Sequence, residues 1–344
     1  MSKSRIVTID DQKLHFYTMG KGPALVMMHP SPSSAESLLP LAKELAENFT
    51  VFCVDTPGYG KSDPLVKKPE NLRDYTRFLN KAFFKLGLEK PALYGSATGA
   101  QLAIRYGLEY PEAVSHIFLD NSAHFDDDLR DKVLKNYFPD LTPKINGNHL
   151  DIIWTMVSQM FQFFPWCFTT EEYALNRPQM PLVVLQMVAM DYLKAGEHYD
   201  VAYKAAFKHE KGEFVQQLKI PTTIFRWNNS IITPYIDSLL AFELPSNING
   251  FYIEGDAAER SMKMTSFMNS ISKQIPIHTI KESAMEVLPD EQVIYVKPTT
   301  YPPKIEATGK YLHDAWNQLV LSNTHLNAKA IQESLVDWYS SNSE

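Results

Sequence analysis

The chain has 344 residues, 44% of them hydrophobic and 21% charged, with a net charge of −7 and no basic run. That is the composition of a globular chain able to bury a large core, and it argues against nucleic acid as a partner. The start Met-Ser-Lys-Ser-Arg-Ile carries no apolar leader, no later stretch is long enough to span a bilayer, and Cys53 and Cys167 both sit in apolar context, so a cytoplasmic protein with buried thiols is expected.

Taken in order, Arg5 to Ile9 and Lys13 to Met19 read as a hairpin around Asp10-Asp11. Gly20-Lys21-Gly22-Pro23 breaks the chain before Ala24 to Met28, a run too hydrophobic to have a solvent face and therefore a central strand. It ends in His29-Pro30-Ser31, and a helix is predicted from about Glu36 to Glu47. A second buried strand, Thr50 to Val54, runs into Asp55-Thr56-Pro57-Gly58-Tyr59-Gly60-Lys61-Ser62-Asp63. Between Asn71 and Leu88, Leu72, Tyr75, Leu79, Phe83 and Leu86 recur at helical spacing.

The next stretch organises the rest. Pro91 to Pro111 reads as a short apolar strand, a turn pinched between Gly95 and Gly99, and a helix whose small residues Gly99, Ala100 and Ala103 can approach a sheet closely. This is the pattern of a nucleophile elbow, Gly-x-Ser-x-Gly, in which the middle side chain stands at the tip of a strained turn. Here the middle residue is Ala97, which cannot attack a carbonyl. Ser96 is expected to point beside the sheet, and the Thr98 hydroxyl to cap a backbone N–H at the helix start. Val114 to Asp120 adds a further strand, so strands alternate with helices and a parallel sheet follows, with its site at the carboxyl ends of the strands.

From about His124 to Gly212 the alternation stops and the chain becomes helical, aromatic and rich in methionine, with Trp154, Phe161, Phe164 and Trp166 forming a stripe that serves either helix packing or an apolar pocket. The core resumes with Ile220 to Trp227, and Gly250 to Glu254 is the last predicted strand, before a helix that begins around Asp256. In the tail, Pro303-Lys304-Ile305 and Gly309 to Trp316 echo Pro143-Lys144-Ile145 and Gly147 to Trp154, both copies sharing Gly-x-x-Leu-x-x-x-Trp. Either the echo is chance similarity of two amphipathic helices, or the tail is a second cap-like layer or a dimerisation element.

His29-Pro30-Ser31, the Asp55 to Asp63 segment, the elbow with Tyr110-Pro111-Glu112-Ala113-Val114, and Ile117-Phe118-Leu119-Asp120 resemble in order and spacing the α/β-hydrolase superfamily, over about residues 5 to 125 and 213 to 270. The elbow, reading Gly-x-x-Thr-Gly-Ala, is similar to a triad-degenerate branch of it. The resemblance implies an α/β-hydrolase fold, a mostly parallel central sheet flanked by helices. It divides the chain into core (1–125), helical cap insertion (126–212), core (213–270) and a partly helical C-terminal extension (271–344). It also implies that the triad acid would stand near Ser230 and the triad histidine near Ala258, so all three triad positions are vacated.

What survives is the polarising half of such a site. The amides of Thr98 and Ser31 are the expected oxyanion donors, while Pro30, in the usual place of a glycine, offers no N–H. General acid–base candidates are His29, His149, Asp120 and His124, each with a structural alternative as a brace, a helix start or a hinge. No spacing resembles a metal or nucleotide site, so neither a metal nor another cofactor is expected. Three readings of function stand open. One is chemistry of the hydrolase or lyase type on a small, largely apolar ester, lactone or ketone; another is a ligand-binding pseudoenzyme; the third is a serine enzyme trapped by a Ser-to-Ala change at position 97. The expected partner is a small apolar carbonyl ligand, with no nucleic acid or membrane, and a homodimer through the cap or the C-terminal extension is a candidate assembly.

Overall fold

The computed structural model describes residues 2–288, 309–323 and 326–341. By contacts the chain divides into two compact units, Met1–Leu134 with Asp200–Asp290, and Lys135–Tyr199 with Glu291–Glu344. In chain order the regular elements are β1 (Lys3–Ile9), β2 (Gln12–Gly20), β3 (Ala24–Met28), α1 (Leu39–Leu45), β4 (Thr50–Val54), α2 (Leu72–Leu86), β5 (Ala92–Ser96), α3 (Thr98–Glu109), β6 (His116–Asp120) and α4 (Asp127–Asn136). They continue with α5 (Asn148–Met160), α6 (Leu182–Ala195), α7 (Val201–His209), α8 (Gly212–Gln216), β7 (Thr222–Trp227), α9 (Thr233–Leu240), β8 (Ile248–Ile253), α10 (Ala257–Ser272), β9 (Glu286–Val287), α11 (Gly309–Ser322) and α12 (Ala328–Ser341).

The first unit is built on one sheet in the order β8-β7-β6-β5-β3-β4-β2-β1-β9. β3 to β8 run parallel, and β1, β2 and β9 are added antiparallel at one end. The apolar runs of β3, β4 and β5 are buried throughout or nearly so, as strands covered on both faces must be. The chain steps from β3 to β4 on one side and then crosses to β5 on the other, so the order reverses between β3 and β5. At such a reversal the loops leaving the two strands part and leave a crevice, the usual ligand site of an open α/β sheet.

One helix expected from about Glu36 to Glu47 is instead a single 3-10 turn, Ala35–Leu38, followed by α1. Ser34 accepts the Glu36 amide and starts the turn, and Pro40, which has no N–H to give, sits in the first turn of α1, where none is needed. α2 matches its predicted stripe and ends at Gly87 in the left-handed conformation, as helix C-termini favour. β9 was not foreseen, because two residues carry no readable period.

The second unit joins two distant stretches of chain. α5 packs on α6 and α11, and α12 on α6 and α11. Of the two echoed segments, the Pro303-Lys304-Ile305 part lies outside the described residues, but the helices that follow meet directly. Trp316 is fully buried and donates its indole N–H to the Ile145 carbonyl at 2.9 Å, and His313 lies 3.2 Å from Asp151. Asp151 and His313 each stand four residues beyond the glycine of their copy, so these two equivalent positions face one another. Gly147 has φ +74°, and a Cβ there would stand 3.1 Å from the Trp316 ring, so glycine fits twice over.

Candidate functional site

Two glycines make the elbow. A Cβ on Gly95 would lie 2.2 Å from the Gly99 carbonyl, and one on Gly99 would lie 2.1 Å from the Met28 carbonyl, so α3 starts hard against the ends of β5 and β3 only because both lack side chains. Ala97 between them has φ 48° and ψ −110°, a backbone conformation essentially reserved for glycine. Its N–H is fixed to the Asp120 carbonyl at 2.9 Å, and its carbonyl accepts from Gln101, which holds the strained turn from both sides. The elbow is therefore complete in backbone and bears a methyl group. Relieving the strain with Ala97→Gly is expected to raise unit-one stability by about 1 kcal/mol, measured by denaturant midpoint.

The two expected oxyanion amides stand at the sheet reversal. Thr98 is the first residue of α3, where helix geometry leaves its N–H unspent, and among the described residues neither its amide nor that of Ser31 finds an acceptor. The Thr98 hydroxyl, expected to cap α3, does not do so. It is buried and has no partner among the described residues. Ser96, at the end of β5, is buried.

The positions near which the resemblance would place a triad acid and histidine, Ser230 and Ala258, lie in structural surroundings. Ser230 donates to the Asn121 side chain at 2.7 Å, closing the loop after β7 onto that after β6. Ala258 is exposed in the first turn of α10. Asp256 accepts the Glu259 amide at 2.9 Å while Glu259 accepts the Asp256 amide at 3.2 Å, a capping box that the Asp-x-x-Glu spacing encodes.

The acid–base candidates are likewise engaged. His29 is buried, with Nδ1 2.9 Å from the Pro30 carbonyl and Nε2 accepting the Thr56 amide at 3.0 Å, so both ring nitrogens are committed. Asp120 accepts the Tyr94 hydroxyl at 2.7 Å and is paired with Arg260, whose guanidinium lies over the Trp227 ring. His124 accepts the Gly212 amide at 3.0 Å and sets its ring edge against Phe242. His149 belongs to the second unit. It is buried beside Trp316, accepts the Lys144 amide at 3.2 Å, and burial pushes its pKa down to about 4, so it is neutral near pH 7. Trp154, Phe161, Phe164 and Trp166 also lie in the second unit; Phe164 is buried, and Trp166 donates to the Tyr137 carbonyl at 3.2 Å.

Sequence reasoning missed two buried networks of the first unit. Glu210, at the end of α7, is fully enclosed and accepts the Ala123 amide at 3.2 Å, with the Gln101 side chain beside it. Burial pushes its pKa up to about 8, against the hydrogen bonds from Ala123 and Gln101 and the charge of Arg130. Gln101 also meets His209 Nδ1 at 3.0 Å, and the His209 ring stacks on Phe214. The second network joins Ser4, His15 and Asp55. Burial raises the pKa of both thiols, that of Cys167 to about 11, which leaves them protonated. Among the described residues no group of histidine, cysteine and carboxylate side chains could hold a metal ion, and no helix is long and apolar enough to cross a membrane.

A sheet that reverses order between β3 and β5, with a strained strand-to-helix elbow at the reversal, defines the class of protein. The family model described as "alpha/beta hydrolase fold" matches residues 23–256, and the chain belongs to that family. Among curated proteins it is similar to a fluoroacetate dehalogenase from Burkholderia sp, 30% identical over 114 residues, covering 32% of this chain and 38% of that protein. It is also similar to a 2-hydroxy-6-oxo-6-phenylhexa-2,4-dienoate hydrolase from Burkholderia cepacia, 27% identical over 125 residues, with 34% and 44% covered. The matched stretch thus spans less than half the length of either. Among solved structures, a bromoperoxidase from Bacillus anthracis superposes with a TM-score of 0.58 at 16% identity, covering 78% of this chain and 99% of that one. The haloalkane dehalogenase DatA from Agrobacterium tumefaciens gives 0.56 at 14% identity, covering 80% and 97%. At these identities the structural likeness speaks to the fold alone.

Proposed function

We propose that the protein binds a small, largely apolar carbonyl compound, an ester, lactone or ketone, above Ala97, and polarises its oxygen with the amides of Thr98 and Ser31 without forming a covalent intermediate at the elbow. The observation that carries this reading is the strained Ala97 backbone. A turn that costs on the order of 1–3 kcal/mol and no longer presents a nucleophile still aims the unspent amide at the first turn of α3 into the crevice. Chemistry of the hydrolase type on the bound compound is supported by the name of one curated relative, a 2-hydroxy-6-oxo-6-phenylhexa-2,4-dienoate hydrolase, while the lyase alternative rests on the site alone. A second reading, a ligand-binding protein without turnover, is favoured by His29, whose ring nitrogens are both taken.

Ethyl acetate, γ-butyrolactone and cyclohexanone, titrated with detection by saturation-transfer NMR, test the site. At least one should bind saturably, and Ala97→Leu, which fills the space above the elbow, should weaken that binding at least tenfold with an unchanged melting temperature. Binding that is indifferent to Ala97→Leu would refute the elbow as the site. Product formation at saturating ligand then decides between the two readings.

A further inference from the structure

On the antiparallel end of the first unit, Ser4 of β1 pairs with Tyr17 of β2, and Ile6 with His15, so the alternation of a strand puts Ser4 and His15 on the same face. There Ser4 Oγ lies 2.8 Å from His15 Nε2, and His15 Nδ1 lies 2.7 Å from Asp55 Oδ2. The imidazole is wholly shielded, the carboxylate is 2% exposed, and Ser4 itself is only half-buried.

Asp55 is held as an anion by its surroundings. Its Oδ1 accepts the Ala35 amide at 2.6 Å and its Oδ2 the Lys61 amide at 2.9 Å. Burial works against ionisation, but the His15 hydrogen bond, the nearby imidazoles of His29 and His15 and the Ala35 amide together keep the carboxyl below its usual range. The loop that delivers Lys61 comes this close because residue 60 is glycine at φ +55°, where a Cβ would stand 2.2 Å from the carboxylate. Ser62 ties the two backbones together, accepting the His15 amide and donating to the Asp55 carbonyl, both at 2.9 Å.

An ionised carboxylate only accepts, so His15 Nδ1 carries a proton and, in the neutral ring, Nε2 carries a lone pair. In that form of the ring Ser4 donates its hydroxyl proton to Nε2. That is the polarity of a serine–histidine–aspartate relay, assembled two to four strands along the sheet from the elbow strand and separate from the function proposed there.

We propose that Ser4 is an activated nucleophile, a site that takes up one acyl or phosphonyl group from a reactive ester or fluorophosphonate. In the fluorophosphonate case Ser4 Oγ attacks phosphorus, the P–F bond breaks, fluoride departs, and the serine proton passes to His15 Nε2 and then to solvent. With a nitrophenyl ester the Oγ–acyl bond forms and nitrophenolate leaves.

The test is to treat the full chain with an alkyl fluorophosphonate and map the adduct by peptide mass spectrometry. One equivalent is expected on Ser4, formed on the order of 10²-fold faster than on the same serine in the urea-unfolded chain, the gain a positioned general base provides. The adduct should be absent in Ser4→Ala and formed at the unfolded-chain rate in His15→Gln. If His15→Gln does not fold, the native-against-unfolded rate ratio still decides the matter. No adduct, an adduct on another hydroxyl such as Ser31 with Ser4 unmodified, or a Ser4 rate equal to that of the unfolded chain would overturn the proposal.

Discussion

Arg260→Ala is expected to cost about 3–5 kcal/mol, read as a lowered denaturant midpoint of the first unit. Asp120 is 4% exposed, and Arg260 is the one cation paired with it among the described residues. Removing the guanidinium leaves a carboxylate that neither water nor the remaining Tyr94 hydroxyl can compensate, because burying an unpaired charge costs far more than a surface ion pair contributes. Asp120 also ends β6 and supplies the carbonyl that fixes Ala97, so the loss should loosen the elbow itself. The paired change Asp120→Asn with Arg260→Met should recover most of the loss, since no charge is then stranded. A single variant as stable as the parent would show that the pair is solvated.

Glu210 is expected to make stability fall as pH rises. Its pKa in the folded chain, about 8, lies above the ordinary 4.5, so the folded state holds a proton that the unfolded state has released between those values. The stabilisation is fully present below about pH 4.5 and is lost as pH rises through about 8, with a slope of at most about 1.4 kcal/mol per pH unit. Glu210→Gln keeps an acceptor for the Ala123 amide and removes the titration. Its profile should be flat over that window, and the variant should exceed the parent by about 2–5 kcal/mol at pH 9. Parallel profiles for the two proteins would place the pH dependence elsewhere. Ala123 and Phe125 both bond to Glu210, and Arg130 to the Phe125 carbonyl, so the segment after β6 should show the first gain in amide exchange at high pH.

What could be read from the sequence was whatever is local. β3, β4 and β5 announce themselves as unbroken apolar runs, and Gly95 and Gly99 announce the elbow by their spacing, although only the clash at Gly95 falls within four residues of chain while that at Gly99 is with Met28. That Ala97 stands at the tip of the turn was legible for the same reason. The capping box at Asp256 and Glu259 is equally local, since the Asp-x-x-Glu spacing spells it within four residues. Ser4 and His15 lie on β1 and β2 and Asp55 just beyond the end of β4, and no spacing brings them together until the register of β1 on β2 and of β2 on β4 is known. Gln101 and His209 are separated by 108 positions. Polar partners chosen by geometry leave no periodic trace, whereas apolar faces do.

The pairing of α5 with α11 has a consequence for the order in which the molecule is made. The surface of α5 around Gly147 and His149 is finished only by Trp316, which the ribosome supplies more than 150 residues later. While synthesis runs from one helix to the other, an aromatic-sized hollow stands open on the nascent insertion, and at roughly 5–20 residues per second that interval lasts on the order of ten seconds. The late helix therefore completes the packing of the early one, and until it is made the apolar surface it covers stays exposed.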